Sequence, residues 1–214
     1  MECFSRVIKR LDKSRKIDMK IGIFGGTFDP PHWGHLLLAE FVRDEMGLDR
    51  VLLVPALLPP HKEDRIITDA QLRLEMVKIL CGNDPYIRPS DADLVHGRKP
   101  SYTIDLLEDF FKKFPDNEFF LIVGGDSVVE FTTWHRWEEI LSRCVVVALP
   151  RPGRDFSSAD RKVLDAVKIL KSPLIEISST EIRRRVREGK SIRFMTTEEV
   201  AKFIAKKKLY SANK

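Results

Sequence analysis

The chain has 214 residues, 43% of them hydrophobic and 32% charged, with a formal net charge of +5. That length accommodates one full domain with its own core, and the composition excludes a disordered or fibrous chain. No window stays apolar over the roughly 18 residues that a membrane-spanning helix requires.

Residues 1–18 hold six Lys and Arg against three Asp and Glu, so +3 of the charge lies there and the other residues carry only +2. Phe4, Val7, Ile8 and Leu11 follow helical spacing but lack the continuous apolar run of a secretory signal. The segment reads as an N-terminal extension, either a short amphipathic helix or a disordered or untranslated leader, with Met19 as an alternative start. Residues 19–210 read as the single domain, and 211–214 as a tail.

Residues 20–24 and 50–54 are short aliphatic, β-branched runs. Between them, residues 34–47 repeat Leu37, Leu38, Phe41 and Val42 at helical spacing, completing a strand–helix–strand unit. A helix is expected over 68–81, with Leu72, Met76, Ile79 and Leu80 on one face, then a brief strand over 86–88. Ile104, Leu107, Phe110 and Phe111 mark a helix over 102–114, followed by an apolar strand over 118–123. A helix over 136–142 and a strand over 144–149 come next. Beyond the turn-rich segment 151–158, a strand over 173–177 and two helices are expected. Residues 178–210 form a helical C-terminal lobe in which Val200, Phe203, Ile204 and Leu209 need burial.

Strands alternating with helices predict an α/β fold: an open, mostly parallel, doubly wound (Rossmann-like) sheet of five or six strands. In such sheets ligands bind beyond the carboxyl ends of the strands. The segments expected there are GGTFDPPHWGH, PALLPPHK, GGDS and ISSTEIRRR, all rich in small, polar or basic residues. Cys3, Cys81 and Cys144 are odd in number and far apart, with no C-x-x-C pair. Neither a disulfide framework nor a structural zinc site is indicated, and a reducing, cytoplasmic compartment fits.

In GGTFDPPHWGH, Gly25 and Gly26 let the backbone turn sharply and approach a ligand closely. Pro30 and Pro31 then lead into a helix whose first amides lack partners and carry the positive end of the dipole. His32 and His35 stand at i and i+3 on that opening turn, where both can donate to one anion. Metal ligation and purely local bonding are the competing readings, and no third His or Cys lies nearby at ligand spacing. Ser178-Ser179-Thr180-Glu181 has the form of a capping box, so a second helix begins there and offers free amides, hydroxyls and the Arg183 guanidinium to phosphate. A capped surface helix with spare arginines is the plainer alternative.

The string G-G-T-F-D-P-P-H-x-G-H resembles the H-x-G-H motif of the nucleotidyltransferase superfamily. With I-S-S-T-x-I-R, P-P-H-K, P-S-Y-T-x-D, G-x-D at residues 124–126 and W-H-R-W at 134–137, in order, the chain is similar to the bacterial nicotinate-mononucleotide adenylyltransferases. The likeness runs from Met19 to about Tyr210, departing from the pattern in residues 1–18 and at Gly125, where Ala is more common. It implies adenylyl transfer from ATP to nicotinate mononucleotide, yielding nicotinate adenine dinucleotide and pyrophosphate. Mg²⁺ would accompany ATP, held mainly by its oxygens and water. His32 and His35 would contact the α- and β-phosphates, and Ser179, Thr180 and Arg183 the β- and γ-phosphates. Adenine and ribose would lie over Gly25, Gly26, Thr27 and Phe28 on one side, with Gly124 and Asp126 on the other. His61, Lys62, Tyr102, Thr103, Asp126 and Trp134 would receive the pyridine nucleotide.

Sister activities on nicotinamide mononucleotide or phosphopantetheine remain open by fold. Arg183, Arg184, Arg185, Arg187 and the lysines within 202–208 keep a non-enzymatic nucleic-acid binder as the alternative of another class. Their position near the chain end, with no reader motif, favours solvated helix faces.

Overall fold

In the computed structural model the described residues are 19–58, 67–97, 100–150, 156, 158–173 and 175–211. The N-terminal extension, His61, Lys62 and residues 212–214 lie outside them. Along the chain come β1 (Lys20–Gly26), α1 (Trp33–Glu45), β2 (Arg50–Pro55), α2 (Ala70–Cys81), β3 (Ile87–Pro89), α3 (Ala92–His96), α4 (Thr103–Lys113) and β4 (Glu118–Gly124). Then follow α5 (Gly125–Val129), a 3₁₀ turn (Phe131–Thr133), α6 (Trp137–Arg143), β5 (Val145–Leu149), α7 (Arg161–Ala166), β6 (Lys168–Ile169), α8 (Ser179–Arg187) and α9 (Glu198–Lys206).

The strands form one six-stranded sheet in the order β3-β2-β1-β4-β5-β6, and every pairing is parallel. Side chains of a strand alternate between faces, so each strand serves two cores. Ile21, Ile23, Leu52, Val54, Leu121 and Val123 pack with Ile104, Leu107 and Phe110 of α4, Ile140 of α6 and Val163 of α7. Phe24, Val51, Leu53, Phe120 and Ile122 face the other way, against Ala39 and Val42 of α1, Met76 and Val77 of α2, and Val200 and Ile204 of α9. Helices on both faces bury the apolar runs completely, which is the doubly wound arrangement expected. Among the described residues no helix is long and apolar enough to cross a membrane.

Two expectations need correction. Among the described residues the last strand is Lys168–Ile169, paired with Val147 and Ala148, and the described residues of 173–177 form none. Pro173 has no amide hydrogen to give a ladder, and the segment instead leads toward α8. Leu37, counted among the core-facing residues of α1, is 55% exposed, since Ala39 and Val42 supply the buried stripe there. The short α3, α5 and α7 had no periodic signal of useful length.

The strand order reverses between β1 and β4: β1 connects outward to β2, while β4 continues to β5 on the opposite side. The ends of these two strands carry Gly25, Gly26 and Gly124, so the crevice opens at the switch point.

Candidate active site

At that crevice lies a cavity of about 230 Å³. Of the expected site residues it is lined by Gly25, Gly26, Thr27, Tyr102, Thr103, Gly124 and Trp134. One end is backbone, where a Cβ added at Gly25 would meet nothing within 4 Å. The other end is aromatic: Trp134 is stacked on Phe131 at 4.9 Å between centroids, and Tyr102 lies 4.6 Å from the His135 ring. A flat ring can enter between a glycine floor and aromatic walls without displacing side chains. Asp93, Ser101 and Ser127 also line it; Ser101 and Ser127 stand within the P-S-Y-T-x-D and GGDS strings without a role of their own expected from sequence, and Asp93 lies in no motif.

The two helix starts expected to meet phosphate are joined through the loop that follows β1. His32 is the N-cap of α1, and the backbone N–H of His32 donates to Nδ1 of His35 at 3.1 Å. A neutral imidazole accepting at Nδ1 carries its proton on Nε2, so that atom is the donor of His35. The two rings lie face to face, 3.7 Å between centroids, and the edge of Phe28 supports His35 at 4.8 Å. Phe28 has a positive φ of 50° and is 2% exposed, so it is turned inward beneath His35 and presents no open face to an adenine. A Cβ at Gly34 would stand 3.0 Å from Nδ1 of His32, so only glycine leaves that ring where it is.

The second helix start meets the first. Ser178 caps α8, its hydroxyl accepting from the Glu181 amide at 3.2 Å. The Ser179 hydroxyl donates to the Pro30 carbonyl at 2.7 Å, and Nη1 of Arg183 donates to the Asp29 carbonyl at 2.6 Å. Nη2 of Arg183 donates to the Thr180 hydroxyl at 3.2 Å. Helix α8 is therefore docked on the loop that enters His32, across about 150 residues of sequence. Ser179 and Arg183 hold that loop, and the guanidinium, with five N–H groups, keeps donors beyond these bonds. Arg184 and Arg185, by contrast, turn to Glu181, Glu188 and the Ser191 carbonyl on their own side of the lobe.

Asp126 opens α5 but does not line the cavity. At Gly125 an added Cβ would meet its neighbours at 3.4 Å or more, so either Gly or Ala fits. His61 and Lys62 lie outside the described residues. Among the described residues no group of three or more His, Cys, Asp or Glu side chains comes together as a metal cage.

A buried layer that the sequence did not flag sits beneath these loops. Arg73 of α2, 1% exposed, donates to the carbonyls of Thr27 at 2.8 Å, Leu57 at 3.2 Å and Thr68 at 2.8 Å. It ties the loop after β1 to the loop after β2. Burial pulls the Arg73 guanidinium below its ordinary pKa, with Asp29 and Asp69 acting in the opposite direction. The Leu57 amide donates to Asp93 at 2.6 Å and the Leu58 amide to the Ser101 hydroxyl at 3.0 Å, which pins the β2 loop to α3 and to the segment entering α4.

The family model described as Cytidylyltransferase-like matches residues 23–185. A relative from Exiguobacterium sibiricum, named probable nicotinate-nucleotide adenylyltransferase, is 40% identical over 193 residues, spanning 90% of this chain and 100% of its own. Another of the same name, from Salinibacter ruber, is 40% identical over 192 residues, spanning 90% and 98%. The solved structure of Plasmodium falciparum nicotinic acid mononucleotide adenylyltransferase complexed with NaAD shares the fold, with a TM-score of 0.72 over 90% of this chain and 97% of that one, at 20% identity. The two helix starts joined at one switch point and these likenesses over nearly the whole domain lead to one assignment: the chain belongs to the nicotinate-nucleotide adenylyltransferase family, within the cytidylyltransferase-like nucleotidyltransferases.

Proposed function

We propose that this protein transfers the adenylyl group of ATP to nicotinate mononucleotide, in the biosynthesis of NAD. A phosphate oxygen of the mononucleotide attacks the α-phosphorus of ATP, a new P–O bond forms, and the bond between the α-phosphorus and the oxygen bridging it to the β-phosphorus breaks, that oxygen and the electron pair leaving with pyrophosphate. The acceptor is already an anion, so no general base is required. Catalysis then consists of alignment and stabilisation of phosphate charge.

The observation that carries this reading is the docking of α8 on the 29–31 loop, which joins two helix starts on the loop that follows β1, the same loop whose Gly25, Gly26 and Thr27 line the aromatic cavity. In this reading His32 and His35 take the α- and β-phosphates, while Thr180 and the remaining donors of Arg183 take the β- and γ-phosphates. The nucleoside of ATP lies over Gly25, Gly26 and Thr27, opposite Gly124. The pyridine ring enters between Tyr102 and Trp134, with the amides near Thr103 turned to its carboxylate. Mg²⁺ enters as part of the substrate, bound to triphosphate oxygens. We place the enzyme in the cytoplasm, where Cys81 and Cys144, both free thiols, stay reduced.

The test is pyrophosphate release from ATP with nicotinate mononucleotide, nicotinamide mononucleotide or phosphopantetheine as acceptor. Highest kcat/KM with nicotinate mononucleotide is the expected result. No release with it, or faster turnover of phosphopantetheine, overturns the proposal.

A further inference from the structure

The loop that presents His32 spends its polar groups in an unusual way. Three successive carbonyls are taken by the C-terminal lobe: Asp29 by Arg183, Pro30 by Ser179, and Pro31 by the hydroxyl of Thr196 at 3.0 Å. The Asp29 carboxylate, on a residue 5% exposed, is held as well. One oxygen accepts the Tyr210 hydroxyl at 2.6 Å, the other the Thr68 amide at 3.3 Å. Arg183 and Ser179 belong to the phosphate motif itself. Thr196 and Tyr210 belong to no motif, and Tyr210 reaches back across 181 residues of sequence.

We propose that Tyr210 is a positioning residue for adenylyl transfer: its hydroxyl, through Asp29, holds the 28–32 loop in the conformation that sets His35 against the α-phosphate. Geometry supports a locating role. Asp29 lies next to Phe28, whose ring edge bears on His35, and three residues before His32, whose amide orients the His35 ring. A shift of the Asp29 carboxylate is therefore delivered to His35 from two sides. Burial, then the adjacent Asp29, raises the pKa of Tyr210, so the hydroxyl keeps its proton and remains the donor in this bond. Tyr210 does not line the cavity, which separates it from the groups that touch substrate there.

The inference rests on the adenylyl-transfer reading, and the experiment separates the two. Pyrophosphate release with ATP and nicotinate mononucleotide is measured for four full-length proteins: wild type, Tyr210→Phe, His35→Ala and the double variant. Tyr210→Phe keeps the ring and removes one hydroxyl, and its fold is checked by thermal melting. Mispositioning of a reacting group by about 1 Å costs about 100-fold, so Tyr210→Phe is expected to lower kcat/KM about 10- to 100-fold in the wild-type background. In the His35→Ala background the same change is expected to cost less than about twofold, because the group it positions is gone. A residue that served only stability would lower both backgrounds by one common factor. That outcome, or a Tyr210→Phe enzyme as fast as wild type, overturns the positioning role. An inactive wild type overturns the adenylyl-transfer reading instead.

Discussion

The rings of His32 and His35 lie 3.7 Å apart, tilted by only 31°, and the backbone amide of the first donates to Nδ1 of the second. One turn of helix thus fixes the tautomer and the plane of His35 at once. Loss of one preorganised donor to a reacting phosphate costs about 10²–10³ in turnover. His35→Ala should show a fall of that size in kcat for pyrophosphate release, with its circular dichroism unchanged. Turnover within threefold of wild type would remove His35 from the mechanism.

Gly34 and Gly25 should separate packing from ligand space. An alanine Cβ at 34 meets Nδ1 and Cε1 of His32 at 3.0 and 3.1 Å and Ile175 at 3.2 Å. Gly34→Ala should displace His32, lowering kcat and the melting temperature together. At Gly25 the Cβ meets nothing, so Gly25→Ala should melt like wild type. The space it fills is the cavity, however, and overpacking costs about 1–3 kcal/mol. ATP affinity, read by titration calorimetry, should weaken about 5- to 150-fold.

Arg73 carries stability and connects two loops. Arg73→Met leaves the carbonyls of Thr27, Leu57 and Thr68 without their donor. A carbonyl left buried without a donor costs about 1–3 kcal/mol; these three bonds are part-buried, so a loss of about 3 kcal/mol is expected. For a domain of this size that corresponds to about 6–12 °C in melting temperature, measurable by calorimetry. Arg73→Lys should recover only part of it, because an ammonium cannot reach three carbonyls in a planar fork. Equal melting of Arg73→Met and wild type would contradict the bonds described.

The thiols of Cys81, buried, and Cys144, half-buried, give a pH dependence. Burial pushes both Cys81 and Cys144 up to about 12 from an ordinary value of 9.0. The folded state holds these protons more tightly than the unfolded chain. Their contribution is complete below about pH 9 and is lost as pH rises toward 12. Urea unfolding followed from pH 8 to pH 11 should show stability declining above pH 9 in wild type. The decline should be smaller in the Cys81→Ala, Cys144→Ala double variant, and an identical slope in both proteins would place its origin elsewhere.

Features governed by neighbours in sequence could be read without coordinates. The short continuous apolar runs over 20–24 and 50–54 announce strands buried on both faces, and the Ser178 cap announces the start of α8. His32 and His35 share a turn because three residues nearly complete one. Each rests on periods and caps whose free energy is settled within a few residues. Strand Lys168–Ile169 was misplaced onto 173–177, because an edge strand two residues long has no period to detect. Arg73, Asp29, Thr196 and Tyr210 escaped for a related reason. Their partners stand 46 residues away for Arg73 to Thr27, 165 for Thr196 to Pro31 and 181 for Tyr210 to Asp29. A buried arginine or tyrosine has no local signature; only closure of the sheet and docking of the C-terminal lobe bring its acceptor within 3 Å. The residues of the candidate site are written in short motifs, while the frame that holds them to one geometry exists only once distant segments have packed.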